Sequence, residues 1–282
     1  MEGKPLERQA LEKVGKNWSK SSLTRQKLHS NIREFAGFCA KNYGLDRIEN
    51  IKPKMIEAYL KDLEARGLKP STMADKLTAI RVVADAIGKK NIVDRENKSY
   101  GILRVRVNPQ PVDHTKLAEI RAEIERRAAS GNQVAMMVRA ADSLREAFGL
   151  RAKESLMSQN VVERDGKRFL VVEGTKGGRP RELEVNTANK LQAVNLIKET
   201  SRALGSGTGR IIPVDMSLQQ AYDAQRNLWR ALGGTRSAAA NMHGERHIYA
   251  RQLATDGATK GEIMAQLGHG RDRSPSAYLG KQ

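Results

Sequence analysis

Six side chains in the C-terminal half have the types, and the order, needed to attack a phosphodiester. His243 and Arg246 stand three residues apart, Leu267-Gly268-His269 follows, and Tyr278 comes nine residues after His269. Upstream lie Arg151, with Glu154 three residues on, and Lys176 inside Gly174-Thr175-Lys176-Gly177-Gly178. Breaking such a linkage without a metal requires an in-line nucleophile, cations on the two non-bridging oxygens, and an acid for the departing oxygen. Arginine suits the second task because its planar fork gives two parallel charge-assisted bonds and keeps its proton. Positioned donors of this kind stabilise the transition state.

Taken singly, each residue has an ordinary reading. An Arg-x-x-Glu pair such as Arg151/Glu154 is usually a helical surface ion pair. Lys176 fits an exposed hairpin tip, although the glycines around it let a backbone approach a ligand closely. The stretch lacks the Gly-x-x-x-x-Gly-Lys-Ser/Thr spacing of a phosphate loop, because Lys176 is followed by glycine. His243, His247 and His269 invite a zinc reading, but the order is His-x-Glu-x-His and not His-Glu-x-x-His. His247 therefore reads as a packed or hydrogen-bonded supporting histidine. Tyr249, six residues after His243, points off the His243–Arg246 face and reads as core. Tyr278 follows Pro275, which starts a short helix well.

Composition narrows the partners. Fifty Lys+Arg against thirty-two Asp+Glu leave +18, a field that draws polyanions, nucleic acid foremost; a ribosomal surface or an anionic membrane are the plainer alternatives. Aromatics at 4% are too few for the base-stacking platforms of single-strand binders, so duplex DNA is the favoured partner. No run of eighteen apolar residues is present, and Met1–Lys20 lacks the apolar centre of a signal peptide. The single cysteine, Cys39, excludes an intramolecular disulfide and a cysteine-rich zinc module. An intracellular, reducing compartment is the expected location.

The elements that must position these residues follow from periodicity. Residues 1–20 read as a basic arm, too short for a separate folded domain. Leu28, Ile32, Phe35 and Cys39 predict one helix ending near Gly44. Met55, Ile56, Tyr59, Leu60 and Leu63 predict a second after Pro53, and Leu77, Ile80, Ala84 and Ile87 a third after Pro70. Together they define a small helical domain over 21–88. Residues 89–112, basic and marked by Pro109 and Pro111, read as a linker, either merely solvated or lying on phosphates. A second domain, 113–282, opens with helical stripes at Leu117, Ile120 and Ile124 and at Val134, Met137, Val138, Ala141, Leu144 and Phe148. Its period then becomes strand-like: 160–164 and 168–172 flank the Asp165-Gly166 turn, and 182–185 supply a third strand. Beyond Thr187 the pattern is helical to the end, with Leu218, Tyr222, Leu228, Trp229 and Leu232 marking one late helix. The fold class is mainly α with a small antiparallel sheet.

The order Arg151…Lys176…His243-x-x-Arg246…His269…Tyr278 resembles the tyrosine recombinases, or phage integrase family. The resemblance rests on Gly149-Leu150-Arg151-x-x-Glu154, Lys176 between strands, His243-x-x-Arg246-His247, Leu267-Gly268-His269, and the step to Tyr278, and covers the whole second domain. It implies an N-terminal core-binding domain of the SAM-like type and a C-terminal α+β catalytic domain. It also implies that Tyr278 attacks the scissile phosphate to give a 3′-phosphotyrosine, that Arg151 and Arg246 clamp the oxygens, and that Lys176 protonates the 5′ oxygen. His243 and His269 would bond the phosphate and assist proton transfer, with Glu154 supporting Arg151 and His247 in a supporting place. No cofactor, metal or ATP is implied, because the covalent link stores the bond energy. The implied partner is double-stranded DNA, bound as a homo-tetramer on two sites by a protein that is monomeric in solution, with accessory DNA-bending or directionality proteins and no membrane. The expected function is the integrase of a mobile element. An Xer-like dimer resolvase, a type IB-like topoisomerase and a non-catalytic regulator derived from an integrase are the alternatives. Two departures stand out: Glu245 occupies a place the family gives to an apolar residue, and only Leu279–Gln282 follow Tyr278.

Overall fold

The computed structural model describes residues 5–16, 21–103, 110–174, 180–207 and 209–269. The chain divides into two compact units, Met1–Arg106 and Val107–Gln282. Both are built mainly from helices, and the only sheet among the described residues is a three-stranded antiparallel one in the second unit.

Among the described residues of the first unit, four α-helices surround one apolar core: α1 (Leu6–Val14), α2 (Ser22–Tyr43), α3 (Pro53–Ala65) and α4 (Pro70–Ala86). Their starts and stops follow local chemistry. The Ser21 hydroxyl accepts from the Thr24 amide, prolines occupy the first turns of α3 and α4, and Gly44 takes the left-handed conformation that ends α2. Tyr59 of α3 packs in tilted geometry on Phe35 and Phe38 of α2, with ring centroids 5.3 and 5.1 Å apart.

The structure corrects two boundaries read from the sequence. Residues 6–14 are not an arm: they form α1, which buries Leu6 and Ala10 in the core and packs on α2 and α4. Four apolar residues on one side of a charged nonapeptide suffice once a partner surface exists. The segment expected as a linker from residue 89 belongs in good part to the first unit. It holds short 3-10 turns at Lys90–Ile92 and Asn97–Tyr100, and Val93 and Ile102 are buried in the same core. Arg81 of α4 fastens it by donating to the Asp94 carbonyl and the Asn97 side chain.

The second unit is organised around α6 (Gln133–Phe148), ten of whose sixteen residues are buried. Around it pack α5 (His114–Ala129), α7 (Ala152–Met157), α8 (Ala188–Ala203), α9 (Leu218–Ala231) and α10 (Gly244–Thr255). A last helix, α11 (Lys260–Leu267), packs on α10. The sheet consists of β1 (Val161–Arg164), β2 (Lys167–Val172) and β3 (Arg181–Glu184), in that order. Leu170 pairs with Val161 and Leu183, so the apolar alternates Leu170, Val172 and Leu183 face the core. Asp165 and Gly166 both have positive φ, as a two-residue hairpin turn of this hand requires. The chain after Thr187 is not continuously helical: 204–207, 209–217 and 232–243 are irregular apart from turns. The last of these stretches leads to the candidate site and is pinned by Trp229, which is buried and donates from Nε1 to the Ala240 carbonyl at 2.8 Å.

If α1 is integral to the first unit, Leu6→Ala should lower the stability of the full chain's N-terminal transition by about 2–5 kcal/mol, the usual cost of truncating a core leucine. Urea unfolding followed by circular dichroism measures it, and a solvated arm would show no change.

Candidate active site

A buried carboxylate lies at the centre of the candidate site. Glu154 sits in the first turn of α7, where the positive end of a helix favours an anion. Its side chain is inaccessible, and three guanidinium groups approach it. Arg151 Nη1 bonds Oε1, Arg181 Nη2 lies 3.2 Å from Oε2, and Arg246 Nη1 lies 3.9 Å from Oε2. The Arg151 backbone amide also donates to Oε2 at 3.0 Å, the reciprocal half of a capping arrangement. Burial alone would raise the Glu154 carboxyl; the charges of Arg181 and Arg151 and the amide bond outweigh it, so its pKa is lowered.

Arg246 is held by the ends of two helices. It is fully buried in the first turn of α10. It donates through Nη1 to the Gly149 carbonyl at 2.6 Å and through Nη2 to the Leu267 carbonyl. Gly149 caps α6 and Leu267 ends α11, so these oxygens lie at helix C-termini, where carbonyls lack intrahelical donors and a cation is favoured. Gly149 has φ +63°, and a Cβ there would lie 2.4 Å from the Tyr249 ring. Only glycine permits both that turn and that approach. Tyr249 is thus a packing residue, its hydroxyl 3.3 Å from the Gln266 side chain.

The histidines surround this cluster. Gly268, left-handed, closes α11 and turns His269 inward; the His269 amide donates to the Met264 carbonyl, and its Nε2 lies 3.0 Å from Arg246 Nη2. Since arginine can only donate, Nε2 accepts. His243 precedes α10, with its outer edge exposed and its ring meeting His247 edge-on at 5.1 Å. All three imidazoles are pushed down to about 4: burial contributes most in each, followed by His247, Arg246 and Arg151 at His243, by Arg251 and Arg246 at His247, and by Arg246 and Arg151 at His269. The cationic field that disfavours an imidazolium favours an anion in the same place. Among the described residues, no group of three or more His, Cys, Asp or Glu is arranged to hold a metal ion.

The structure therefore brings Arg151, Glu154, Arg246 and His269 into direct contact, and places His243 and His247 beside them. Lys176 and Tyr278 lie outside the described residues. Sequence reasoning missed Arg181. It is 8% exposed in its side chain, donates to the Gln266 carbonyl at 2.8 Å, and packs where a Cβ at Gly268 would lie 2.7 Å from its Nη1. A lone arginine opening a strand carries no periodic signal; its burial is visible only once α7 and α11 are in place.

Comparisons with known proteins place the chain in a family. The model of the integrase family matches residues 112–252, and that of the phage integrase N-terminal domain matches residues 6–93. The tyrosine recombinase XerD of Caulobacter vibrioides is 26% identical over 94% of this chain and 86% of its own length. XerD of Rhizobium meliloti is 24% identical over 76% and 71%. The fold is similar to that of the XerH site-specific recombinase in its post-cleavage complex with a palindromic difH substrate, with TM-score 0.67, 19% identity, and coverage of 91% of this chain and 76% of that one. It is also similar to lambda integrase in a tetramer bound to a Holliday junction, with TM-score 0.64, 19% identity, and coverage of 98% and 77%. A helical N-terminal unit followed by an arginine-rich α+β unit defines an enzyme that cuts and rejoins DNA strands in site-specific recombination. The chain belongs to the tyrosine recombinase, or phage integrase, family.

Two outcomes follow. Glu154→Ala leaves buried guanidinium groups without their counter-charge and should cost about 3–5 kcal/mol in urea unfolding. His247 and His269 have folded pKa values near 4 against 6.5 for the free side chain, so their contribution to stability is complete above pH 6.5 and is lost as pH falls towards 4. The urea midpoint of the DNA-free protein should fall between about pH 6.5 and about pH 5, and His269→Gln should flatten that slope.

Proposed function

We propose that this chain is a site-specific recombinase acting as the integrase of a mobile element. On this reading it cleaves duplex DNA through Tyr278 and a 3′-phosphotyrosine. The observation that carries the reading is the Glu154-centred cluster, in which Arg151, Arg246 and His269, on segments up to 118 residues apart in number, meet at one point. Arg151 and Arg246 bind the non-bridging oxygens of the scissile phosphate. His243 and His269, neutral at physiological pH, hydrogen-bond the phosphate and relay protons. Lys176 delivers a proton to the 5′ oxygen. As Tyr278 oxygen bonds to phosphorus, the phosphorus–5′-oxygen bond breaks and the 5′ hydroxyl leaves; attack by a partner strand's 5′ hydroxyl then releases the tyrosine. Glu154 and His247 support the arginines and His243.

The partner is double-stranded DNA. The charge of +18 supports binding led by phosphates, with an affinity that falls steeply with salt. The protein works as a homo-tetramer on two sites, from a monomer in solution, with DNA-bending or directionality proteins as accessories. It acts in the cytoplasm of a prokaryote; no helix among the described residues is long and apolar enough to cross a membrane. A second reading, an Xer-type dimer resolvase, is favoured by the XerD relatives and their coverage of this chain. A resolvase joins two copies of one site, whereas an integrase joins two unlike sites, so a two-plasmid recombination assay separates them.

The chemistry is tested by incubating the protein with nicked site DNA in EDTA and detecting an SDS-resistant adduct. Tyr278→Phe should abolish the adduct and retain binding. Arg151→Ala or Arg246→Ala should slow its formation by about 100-fold to 1,000-fold, the usual effect of removing one charge-stabilising donor. An adduct that survives Tyr278→Phe, or a requirement for magnesium, would overturn the reading.

A further inference from the structure

A second buried charge cluster lies behind the site. Asp142 and Arg145 of α6 and Glu245 of α10 are 5%, 0% and 2% exposed. Arg145 donates to Glu245 Oε2 at 2.9 Å and to Asp142 Oδ1 at 2.7 Å. Arg121 of α5 closes the ring, donating to Asp142 Oδ2 at 2.9 Å and to Glu245 Oε1 at 2.9 Å. Two guanidinium groups thus alternate with two carboxyl groups; burial and the neighbouring Asp142 charge raise that of Glu245, while the Arg145 and Arg121 charges hold that of Asp142 low against its burial.

We propose that the Arg121–Asp142–Arg145–Glu245 ring is a positioning device for the recombinase site, setting the rotation of α10 and the placement of α7. The inference rests on the site assignment made above. Ion pairs buried this deeply add little stability over apolar groups of equal volume. What they supply is direction, because each bond requires fixed donor and acceptor geometry.

The wiring is specific. Glu245 and Arg246 are consecutive on α10, so their side chains leave its axis about 100° apart. One enters the α5–α6 wall and the other the candidate site. Any rotation that breaks the Glu245 bonds also swings Arg246 off the Gly149 and Leu267 carbonyls. Arg145 sits one turn before Gly149, whose amide donates to the Arg145 carbonyl at 2.9 Å. Its Nη1 also bonds the Gln225 side chain at 2.6 Å, and Gln225 donates in turn to the carbonyl of Ala152, the residue after Arg151. A single buried guanidinium is therefore tied to the neighbours of both proposed phosphate-binding arginines.

The test uses the full chain and three measurements: duplex affinity, melting temperature and the single-turnover rate of adduct formation. Glu245→Leu should keep affinity and slow the adduct by about 100-fold, the size of effect expected from an ångström of misplacement. Adding Arg145→Met removes the orphaned charge and leaves Arg121 paired with Asp142. This double variant should regain melting temperature without regaining rate, and it carries the test if Glu245→Leu alone does not fold. On DNA with a methylphosphonate at the scissile position, where a methyl group replaces one non-bridging oxygen and removes the linkage's charge, the loss in either variant should shrink at least tenfold, since misplaced arginines matter less there. Recovery of rate together with stability in the double variant, or equal losses on both linkages, would overturn the proposal. An adduct that depends on Tyr278 but not on Glu245 sinks this inference alone; an adduct independent of Tyr278 sinks the site assignment and this inference with it.

Discussion

A carboxylate enclosed by guanidinium groups is the interaction on which the candidate site depends. Glu154 meets Arg151, Arg181 and Arg246 from α7, β3 and α10. Without the anion, two buried cations, Arg181 and Arg246, would face a third, the partly exposed Arg151, and desolvation and repulsion would drive them apart. With it, three positive charges against one negative leave a net positive potential in a small volume. The imidazoles of His243 and His269, depressed first by burial, are lowered further by Arg246 and Arg151 of this cluster. The proposed phosphate chemistry needs such a field in place before substrate arrives, because dipoles and charges that are already oriented need not reorganise during reaction.

Helix termini supply the rest of the geometry. Arg151 lies at the start of α7 and His243 at the start of α10, while His269 follows the end of α11. Arg246 satisfies carbonyls at the ends of α6 and α11 at once. The backbone groups that every helix leaves unpaired are used as fixed holders, and the side chains they hold inherit the rigidity of the core around α6.

Much of this arrangement is legible in the sequence, for reasons that can be named. Stripes such as Leu28/Ile32/Phe35/Cys39 mark helices because each buries one face, and Asp165-Gly166 marks the hairpin because its turn demands positive φ. Glycine before Arg151 and before His269 signals the turns that aim them. What escaped has a common cause. Leu6 and Ala10 look incidental among charges until α2 and α4 cover them. Arg181 and Arg145 carry no mark of burial, and Glu245 stands out only as a charge at a place the family gives to an apolar residue, because burial of a charge is decided by a partner far along the chain: 27 residues for Arg181 and Glu154, 100 for Arg145 and Glu245. Local pattern carries no trace of such pairing.

The span of the Arg246 contacts has a consequence for the life of the polypeptide. One of its anchoring carbonyls lies 97 residues away and the other 21 residues further on, at the end of α11. A growing chain on the ribosome lacks that second anchor until α11 has emerged, and a fragment cut before it never acquires it. The guanidinium is therefore held at both helix ends only in a polypeptide that includes α11.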